Sequence, residues 1–237
     1  MVEFARICAI LGAGVGMGMG AIGSAIGEGM IAMSAVSSLG RQPNASGKLV
    51  RMMVVSQAVT ETAAIFALVV SLLLLFKGGD ASVMDGFTFI AAGIAIGFGT
   101  IGAGFGSGLP GAAAMEGVGK QPENSDVLTI QMIIGQAVTQ TSTIFALTVS
   151  LILIMLSPEG GSWMTCLAIL GSGVAMGFGA IGPGIGDGIV ARNANKGVAR
   201  NPQNMGLLTR TMIIGQAITE TTDIYAMVVS LILIFVV

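Results

Sequence analysis

The chain has 237 residues, of which 54% are hydrophobic and only 9% are charged, with a formal net charge of −2. Its mean hydropathy of +0.91 excludes an ordinary soluble domain, which needs far more charge on its surface. Histidine is absent from the sequence, which excludes imidazole as a base, proton relay or metal ligand. The slightly negative charge gives no reason to expect nucleic acid as a partner.

The first predicted element is a long, glycine-rich apolar segment that begins at the N-terminus and ends at a polar turn, GRQPN, from Gly40. The N-terminus lacks a basic region and a cleavage site, so we interpret it as the start of a mature membrane helix. A second apolar segment follows the turn and carries the motif SQAVTET at 56–62. Each segment exceeds the roughly 20 residues that cross a bilayer as a helix. Residues 1–79 therefore predict a transmembrane helical hairpin, hairpin 1.

The same unit returns twice along the chain. The motif recurs as GQAVTQT at 135–141 and GQAITET at 215–221, and the turns recur as GKQPE from Gly119 and ARNPQ from Ala199. The repeat predicts hairpin 2 over 80–159 and hairpin 3 over 160–237. Because backbone polar groups in lipid must be paired internally, we expect an all-α membrane protein with six transmembrane helices in three tandem hairpins.

Basic residues concentrate on one side of these hairpins. The opposite side holds only Arg6 and Lys77, together with the acids Glu3, Asp80, Asp85 and Glu159. The positive-inside rule therefore places the proline turns in the cytoplasm and both termini outside. The turns and their flanks carry Arg41, Lys48, Arg51, Lys120, Arg192, Lys196, Arg200 and Arg210.

Glycine recurs along the first helix of each hairpin, for example at Gly12, Gly14, Gly16, Gly18 and Gly20. Small residues let helix backbones approach closely in a membrane, so these stripes predict a tightly packed inner layer. The alternative is a phosphate-binding loop, but such loops follow a strand and open an exposed helix. A stripe inside three membrane spans favours packing. The cysteines, Cys8 and Cys166, stand alone in apolar runs and are interpreted as packing residues.

Few acidic residues lie deep in the spans, and they recur at fixed positions. Glu61 and Glu220 lie midway along the second helices of hairpins 1 and 3, where hairpin 2 has Gln140. An ionised carboxylate near the bilayer centre costs on the order of 3 kcal/mol or more, so we expect these acids to bind a proton or a cation. The alternative is a protonated carboxyl in a helix–helix hydrogen bond.

Each of these positions has a polar counterpart in the first helix, 33 residues earlier: Glu28, Ser107 and Asp187. In an antiparallel hairpin this spacing places the two members of a pair at similar depth. Hairpin 2 therefore pairs Ser107 with Gln140 and lacks a carboxylate. A further acid, Asp223, follows Glu220 by one turn; it joins the site, faces a water-filled access path or makes a plain polar contact.

These features together resemble the proteolipid, or c subunit, of F-type ATP synthases, in a triplicated form that covers essentially the whole chain. In that family a glycine-rich helix leads through an Arg-Gln-Pro turn to a helix with an essential Glu or Asp. The resemblance implies a ring of hairpins that rotates against the stator a subunit, with lipid around it and no catalytic site or cofactor on this chain. It also implies a turn surface that contacts the central stalk, here Arg41, Gln42, Pro43, Lys120, Gln121, Pro122, Arg200, Asn201 and Pro202.

The resemblance also implies an ion site. Sodium-binding members carry a hydroxyl after the essential Glu, matched by Thr62 and Thr221, and a side-chain oxygen on the first helix, at the positions of Glu28 and Asp187. A neighbouring hairpin adds a backbone carbonyl and its hydroxyl, matched by Val59 with Thr62, Val138 with Thr141, and Ile218 with Thr221. Tyr225 matches a tyrosine that holds the Glu. An all-oxygen site suits a hard cation, so Na⁺ is favoured over a proton-only site in which two acids share one proton.

Three alternatives bear on function. A V-type or archaeal-type proteolipid is still a rotor, and the lost carboxylate keeps that interpretation open, although the Arg-Gln-Pro turn favours the F-type line. A secondary transporter with inverted repeats would have two repeats of opposite orientation, whereas three hairpins share one orientation. A purely structural membrane oligomer predicts no ion-dependent reactivity at Glu61 or Glu220. Because Gln140 cannot ionise, we expect two ions per chain and a bias towards ATP-driven pumping.

Overall fold

The computed structural model describes residues 2–77, 82–156 and 162–236. The predicted hairpin boundaries at 79/80 and 159/160 lie outside these residues, as do Asp80 and Glu159. Across the described residues the chain is helical, with no strand, and six helical spans are long and apolar enough to cross a membrane. The predicted all-α fold with six spanning segments is therefore confirmed.

The helices follow one another as three hairpins. Hairpin 1 consists of α1 (Val2–Arg41) and α2 (Ser46–Lys77). Hairpin 2 consists of α3 (Val83–Lys120) followed by α4 (Ser125–Thr139) and α5 (Thr141–Met155). Hairpin 3 consists of α6 (Trp163–Gly179) and α7 (Ile181–Arg200) followed by α8 (Met205–Phe235).

Each hairpin reverses direction at its predicted proline turn. A 3₁₀ helix starts at the proline in every case: Pro43–Ala45, Pro122–Asn124 and Pro202–Asn204. Proline suits this first helical position because its φ is already set and the N–H it lacks would have no partner there. The turns share one end of the molecule: the Lys48 ammonium donates a 3.0 Å hydrogen bond to the Pro122 carbonyl, and Lys120 and Arg200 line one cleft between hairpins 2 and 3.

Two of the six spans differ from the uninterrupted helices that the sequence predicts. The first span of hairpin 3 breaks at Ala180, and the second span of hairpin 2 breaks at Gln140. The first break has a simple cause, since Pro183 has no N–H to donate to the Gly179 carbonyl and is accommodated in the first turn of a new helix. At Gln140 the helix tightens, and its carbonyl accepts from the N–H groups of both Thr143 and Ile144.

The helices form two layers. In the first layer α3 lies between α1 and the α6–α7 pair, and in the second layer α2, α4–α5 and α8 pack behind their hairpin partners. The close approach in the first layer depends on glycine: a Cβ on Gly93 would overlap the Gly12 backbone, and one on Gly108 would overlap the Gly27 backbone.

The interior has distinct apolar and polar zones along the length of the helices. One apolar cluster, which includes Phe89, Ile96 and Met176, occupies the half distant from the turns. A second cluster, which includes Ile31, Leu49 and Met115, occupies the turn half. Between them lies a layer of buried polar side chains, which contains one of the predicted ion-binding residues, Asp187. Its members include Ser24, Ser56, Thr60, Ser107, Gln136, Thr139, Gln140, Asp187, Gln216 and Asp223.

Candidate ion-binding sites

The most complete site lies between hairpins 2 and 3. The Thr141 hydroxyl, at the start of α5, donates a hydrogen bond to the Glu220 carboxylate in the middle of α8. The same hydroxyl lies 2.7 Å from the Val138 carbonyl. The structure therefore brings together the carboxylate of one hairpin and the hydroxyl and carbonyl of its neighbour, the three groups that the resemblance implied.

The first helix of hairpin 3 adds a second carboxylate to this site. Asp187 on α7 has 0% of its surface exposed, and neither of its carboxylate oxygens has a hydrogen-bond partner among the described residues. A buried carboxylate without a donor has lost its hydration without compensation, which is costly unless a proton or a cation supplies the missing interaction. Asp187 therefore has the surroundings of an ion ligand.

Asp223 lies one turn further along α8 and is also fully buried. Its two oxygens have no hydrogen-bond partner among the described residues, and neither does the Ser142 hydroxyl of hairpin 2. Ser142 is the polar side chain of the neighbouring hairpin that faces Asp223, and the three roles that the sequence left open for Asp223 stay predictions.

One glutamine in each hairpin, not identified from the sequence as a site residue, links the two helices of that hairpin at the level of the polar pair. The side-chain amide of Gln57 donates to the Glu28 carbonyl at 3.3 Å, that of Gln136 to the Ser107 carbonyl at 2.9 Å, and that of Gln216 to the Asp187 carbonyl at 3.3 Å. Each bond ties the second helix of a hairpin to the first-helix residue of its polar pair: Glu28, Ser107 or Asp187. The sequence does mark this glutamine, because it recurs in all three copies of the motif, four residues before Glu61, Gln140 and Glu220.

Hairpin 2 has a neutral network where hairpin 3 has its carboxylates. The Gln140 amide donates to the Val59 carbonyl of hairpin 1 at 3.1 Å and contacts the Ser107 hydroxyl at 3.4 Å. The Thr143 hydroxyl donates to the Gln140 side-chain oxygen at 3.2 Å. Both ends of the Gln140 amide are thus occupied, so this position contains no unsatisfied charge that calls for an ion.

In hairpin 1 the two predicted carboxylates, Glu28 and Glu61, lie near each other, but among the described residues no neighbouring hairpin adds a ligand to them. Glu61 is exposed and Glu28 is half-buried, and the Thr62 hydroxyl bonds to the carbonyl of Ala58 in its own helix at 3.3 Å. Among the described residues no hydrogen bond reaches the Glu61 carboxylate. The pair therefore lies on an open face of the molecule.

The matching candidates on hairpin 3 also lie on an open face. Ile218 is 67% exposed and Tyr225 is 65% exposed. Among the described residues the Thr221 hydroxyl makes one hydrogen bond, which it donates to the Ile218 carbonyl at 2.7 Å. Within the described part of the chain Tyr225 makes no hydrogen bond to Glu220. Its predicted role in holding that carboxylate is therefore not met inside a single chain.

The turn residues form one polar end. The Arg41 guanidinium is held over the last turn of α1 by hydrogen bonds to Ser37 at 2.9 Å and Ser38 at 3.1 Å. A cleft between hairpins 2 and 3 at this end is lined by Glu116, Lys120, Lys196 and Arg200. The turns thus offer a predominantly basic surface.

Comparison with known proteins identifies a family. The family of the ATP synthase C subunit matches the chain three times, at residues 11–74, 90–153 and 170–233. The K subunit of the A-type ATP synthase of Methanocaldococcus jannaschii is 30% identical over 200 residues, which cover 84% of this chain and 85% of the relative.

Single-hairpin relatives match parts of the chain. The ATP synthase c subunit of Petrotoga mobilis is 52% identical over 68 residues, 29% of this chain and 71% of that protein. The ATP synthase c subunit of Alkaliphilus oremlandii is 45% identical over 76 residues, 32% of this chain and 85% of that protein. The three family matches confirm the predicted triplication of one hairpin.

Proposed function

The chain belongs to the ATP synthase C subunit family, and we propose that within it this rotor protein carries Na⁺ at two of its three hairpins, on Glu61 and Glu220. As a member of the family it translocates ions and leaves the ATP chemistry to other subunits. The bacterial and the A-type relatives are both rotor proteolipids, so the general function holds for either line.

The observation that carries the proposal is the hydrogen bond from Thr141 of hairpin 2 to Glu220 of hairpin 3. With Asp187, this contact gathers two carboxylates, a hydroxyl and, through Val138, a backbone carbonyl from two hairpins. These ligands are all oxygens, which is the ligand set of a hard cation. A site built only for a proton needs an acid but no ring of additional oxygen ligands.

Charge balance sets how the site is filled. Two carboxylates and one Na⁺ leave a net negative charge, which is unfavourable in the low dielectric of the membrane. We infer that the pair Asp187 and Glu220 retains one proton while Na⁺ is bound, and that the proton belongs to the pair rather than to either acid. The second candidate is a site that binds only a proton. The same pair of acids supports it, since Asp187 and Glu220 would share a single proton.

Two ion-carrying hairpins per chain, instead of three, lower the number of ions that the rotor moves for each ATP. Each chain passes three hairpins through the stator but delivers two ions, because Gln140 has no charge to exchange. Fewer ions per ATP means that more free energy is available for each ion. The chain is therefore suited to ATP-driven pumping against a steep gradient.

The chain rotates against the stator a subunit, with the basic proline turns on the central stalk and in the cytoplasm and the termini outside. The excess of Lys and Arg at the turns supports this orientation.

Carbodiimide labelling of the purified ring, mapped by mass spectrometry with and without Na⁺, tests the ion. Carbodiimides attack protonated carboxyls in apolar surroundings, so labelling at Glu61 and Glu220 that Na⁺ suppresses at fixed pH is the expected result. The exposed turn residue Glu123 serves as an internal control that Na⁺ should not affect. Labelling that follows pH but ignores Na⁺ would identify a proton rotor instead.

A further inference from the structure

The turn half of the chain is built differently at its two hairpin boundaries. Between hairpins 1 and 2 it is filled by apolar side chains, among them Met52 and Met115. Between hairpins 2 and 3 the residues at the equivalent positions are the amides Gln131 and Asn195, and both are fully buried. Buried amides thus occur at the boundary that holds the hairpin 3 carboxylates, and methionines occur at the boundary where hairpin 2 has none.

The two amides lie opposite each other on neighbouring helices. A Cβ on Gly135 of α4 would lie 2.7 Å from the Cβ of Ala191 of α7. Gln131 precedes Gly135 by one helical turn, and Asn195 follows Ala191 by one helical turn. Because α4 leads away from the proline turns and α7 leads towards them, both steps go towards the turns. Gln131 and Asn195 are therefore at one level, across the boundary from each other.

The hydrogen bonds of this pair are incomplete among the described residues. The Asn195 amide nitrogen donates to the Ala191 carbonyl of its own helix at 3.0 Å, but its side-chain oxygen has no partner. The Gln131 oxygen accepts from the Thr209 hydroxyl of α8. The Gln131 nitrogen contacts the sulfur of Met212 at 3.2 Å, and a thioether is a weak acceptor. We call Gln131, Asn195, Thr209 and Met212 the amide cluster.

The chemistry of the amide cluster points to water as its ligand. An unpaired amide oxygen in an apolar interior costs free energy, and buried waters typically pair such groups. The Asn195 oxygen needs a donor, and the Gln131 nitrogen needs a better acceptor than sulfur. The four side chains carry no charge. They therefore suit a small neutral molecule that donates and accepts, rather than a cation.

Unpaired oxygens continue from the amide cluster to the ion site. Gln216 lies one turn beyond Met212 on α8, and its buried side-chain oxygen has no partner among the described residues; the Asp187 carboxylate follows. Asn195 and Asp187 are eight residues apart on α7, about 12 Å along a helix, so a few waters span the distance. In the other direction Lys196, next to Asn195 in the sequence, lines the cleft at the turns.

We propose that the amide cluster binds water and that this water forms a hydrated seam between hairpins 2 and 3, from the cleft at the turns to Asp187. The seam hydrates a buried carboxylate that has no donor in the described part of the chain. It reaches the ion site from the turn side only, because the apolar cluster that includes Phe89, Ile96 and Met176 fills the other half.

The seam makes the two ion sites of a chain unequal. Hairpin 1 has Val36 at the position of Asn195, and valine offers no polar group to water. The hairpin 3 site is thus hydrated through the rotor, whereas the Glu61 site has no such path. The inference rests on the proposed function in taking Asp187 and Glu220 as an ion site, but it does not depend on which ion is carried.

Radiolytic footprinting of the intact ring tests the seam without any substitution. X-rays split bound water into hydroxyl radicals, which oxidise a neighbouring methionine to the sulfoxide. Met212 of the amide cluster and Met132, its equivalent between hairpins 1 and 2, are both fully buried, so radicals from outside reach them alike. We expect Met212 to be oxidised severalfold faster than Met132. Equal rates would overturn the proposal and would mean that Gln131 and Asn195 pair directly without water.

Exchanging residues between the two boundaries tests the assignment to the amides. Asn195→Met and Gln131→Met introduce the residue found at the other boundary, and each should reduce the excess oxidation of Met212. The double variant should abolish it. Gln203→Met, at an exposed turn position, is the control and should leave the excess unchanged. An excess that persists in the double variant would overturn the role of the amides.

The reverse exchange keeps the test decisive if those variants give no ring. Met52→Gln combined with Met115→Asn should admit water between hairpins 1 and 2 and raise the oxidation of Met132 severalfold. Unchanged oxidation of Met132 in that ring would overturn the proposal. Carbodiimide labelling of the same samples reports separately on sodium: a loss of Na⁺ protection in the unmodified ring contradicts the sodium proposal, while the comparison of Met212 with Met132 still decides the seam.

Discussion

The Gln140 side-chain amide donates a 3.1 Å hydrogen bond to the backbone carbonyl of Val59, across the boundary between hairpins 1 and 2. At the proposed sodium sites the equivalent carbonyl is a cation ligand. The amide N–H therefore occupies the interaction that a cation makes elsewhere, and it does so without a net charge. Hairpin 2 is held in a neutral, filled arrangement that requires no exchange of ions.

Gln140→Glu should convert this filled position into a third ion site. The Val59 carbonyl and the Ser107 hydroxyl remain as oxygen ligands, and the new carboxylate supplies the missing charge. We expect the Na⁺ transported per ATP hydrolysed to rise in reconstituted vesicles, in the proportion of two to three ions per chain. Gln203→Glu, at an exposed turn position, is the control. An unchanged ratio would contradict the assignment of hairpin 2 as silent.

Asp187→Asn should weaken the site in hairpin 3 selectively. The substitution keeps the shape of the side chain but removes the charge of a fully buried group that has no partner in the described part of the chain. Na⁺ protection of Glu220 against carbodiimide should then require roughly tenfold more Na⁺, while protection of Glu61 stays the same. Equal protection of Glu220 in both proteins would exclude Asp187 from the site. Glu123→Gln is the control, because it removes one carboxylate charge at the exposed turn and should leave the protection of Glu220 unchanged.

Gln216→Leu should destabilise the ring and loosen the Glu220 site together. The Gln216 amide bonds to the carbonyls of Asp187 and Gly135, so its loss breaks one bond within hairpin 3 and one to hairpin 2. Removing a buried partner costs about 1–3 kcal/mol, which should appear as a lower temperature of ring dissociation. Gln203→Leu leaves these bonds intact and should melt like the unmodified protein. A Gln216→Leu ring of normal thermal stability would mean that the glutamine bridge contributes little.

Gly108→Ala should disrupt the packing between α1 and α3. The added Cβ would overlap the backbone at Gly27, and a helix backbone cannot move aside as a flexible side chain can. Overpacking of this kind costs about 1–3 kcal/mol, so we expect less assembled ring and a lower dissociation temperature. Gly206→Ala adds the same methyl group to an open position. Equal yields of the two variants would show that the helices have room to separate.

Much of the architecture could be predicted from the sequence because the repeat supplies its own alignment. The three copies of the motif predicted the six spans, the turns and the pairing of Asp187 with Glu220, since that pairing follows from spacing within one hairpin. The break at Ala180 was missed, although Pro183 was visible. Proline within a membrane helix is often tolerated, and Pro110 indeed lies inside the uninterrupted α3, so position alone does not reveal a break.

Contacts between hairpins were harder to anticipate. Gln140 was recognised as a missing carboxylate, but not as a donor to Val59, because that carbonyl lies 81 residues away and only the packing order of the hairpins brings the two together. The exposure of Tyr225 has the same origin. Its expected role, holding Glu220, was implied by the resemblance to a family that forms rings, and the outer face of hairpin 3 lacks a neighbour in a single chain.

The covalent order of the hairpins has a consequence for the smoothness of rotation. If hairpins 1 and 3 carry ions and hairpin 2 does not, as proposed, then a ring of these chains always has an ion-carrying hairpin on each side of Gln140, because the linkers fix the order of the hairpins. A ring assembled at random from separate loaded and silent hairpins would sometimes place silent ones side by side, leaving a wide arc with nothing to engage the stator. Because the hairpins are fused, those without a carboxylate are evenly spaced around the ring. Two of them therefore never pass the stator one directly after the other.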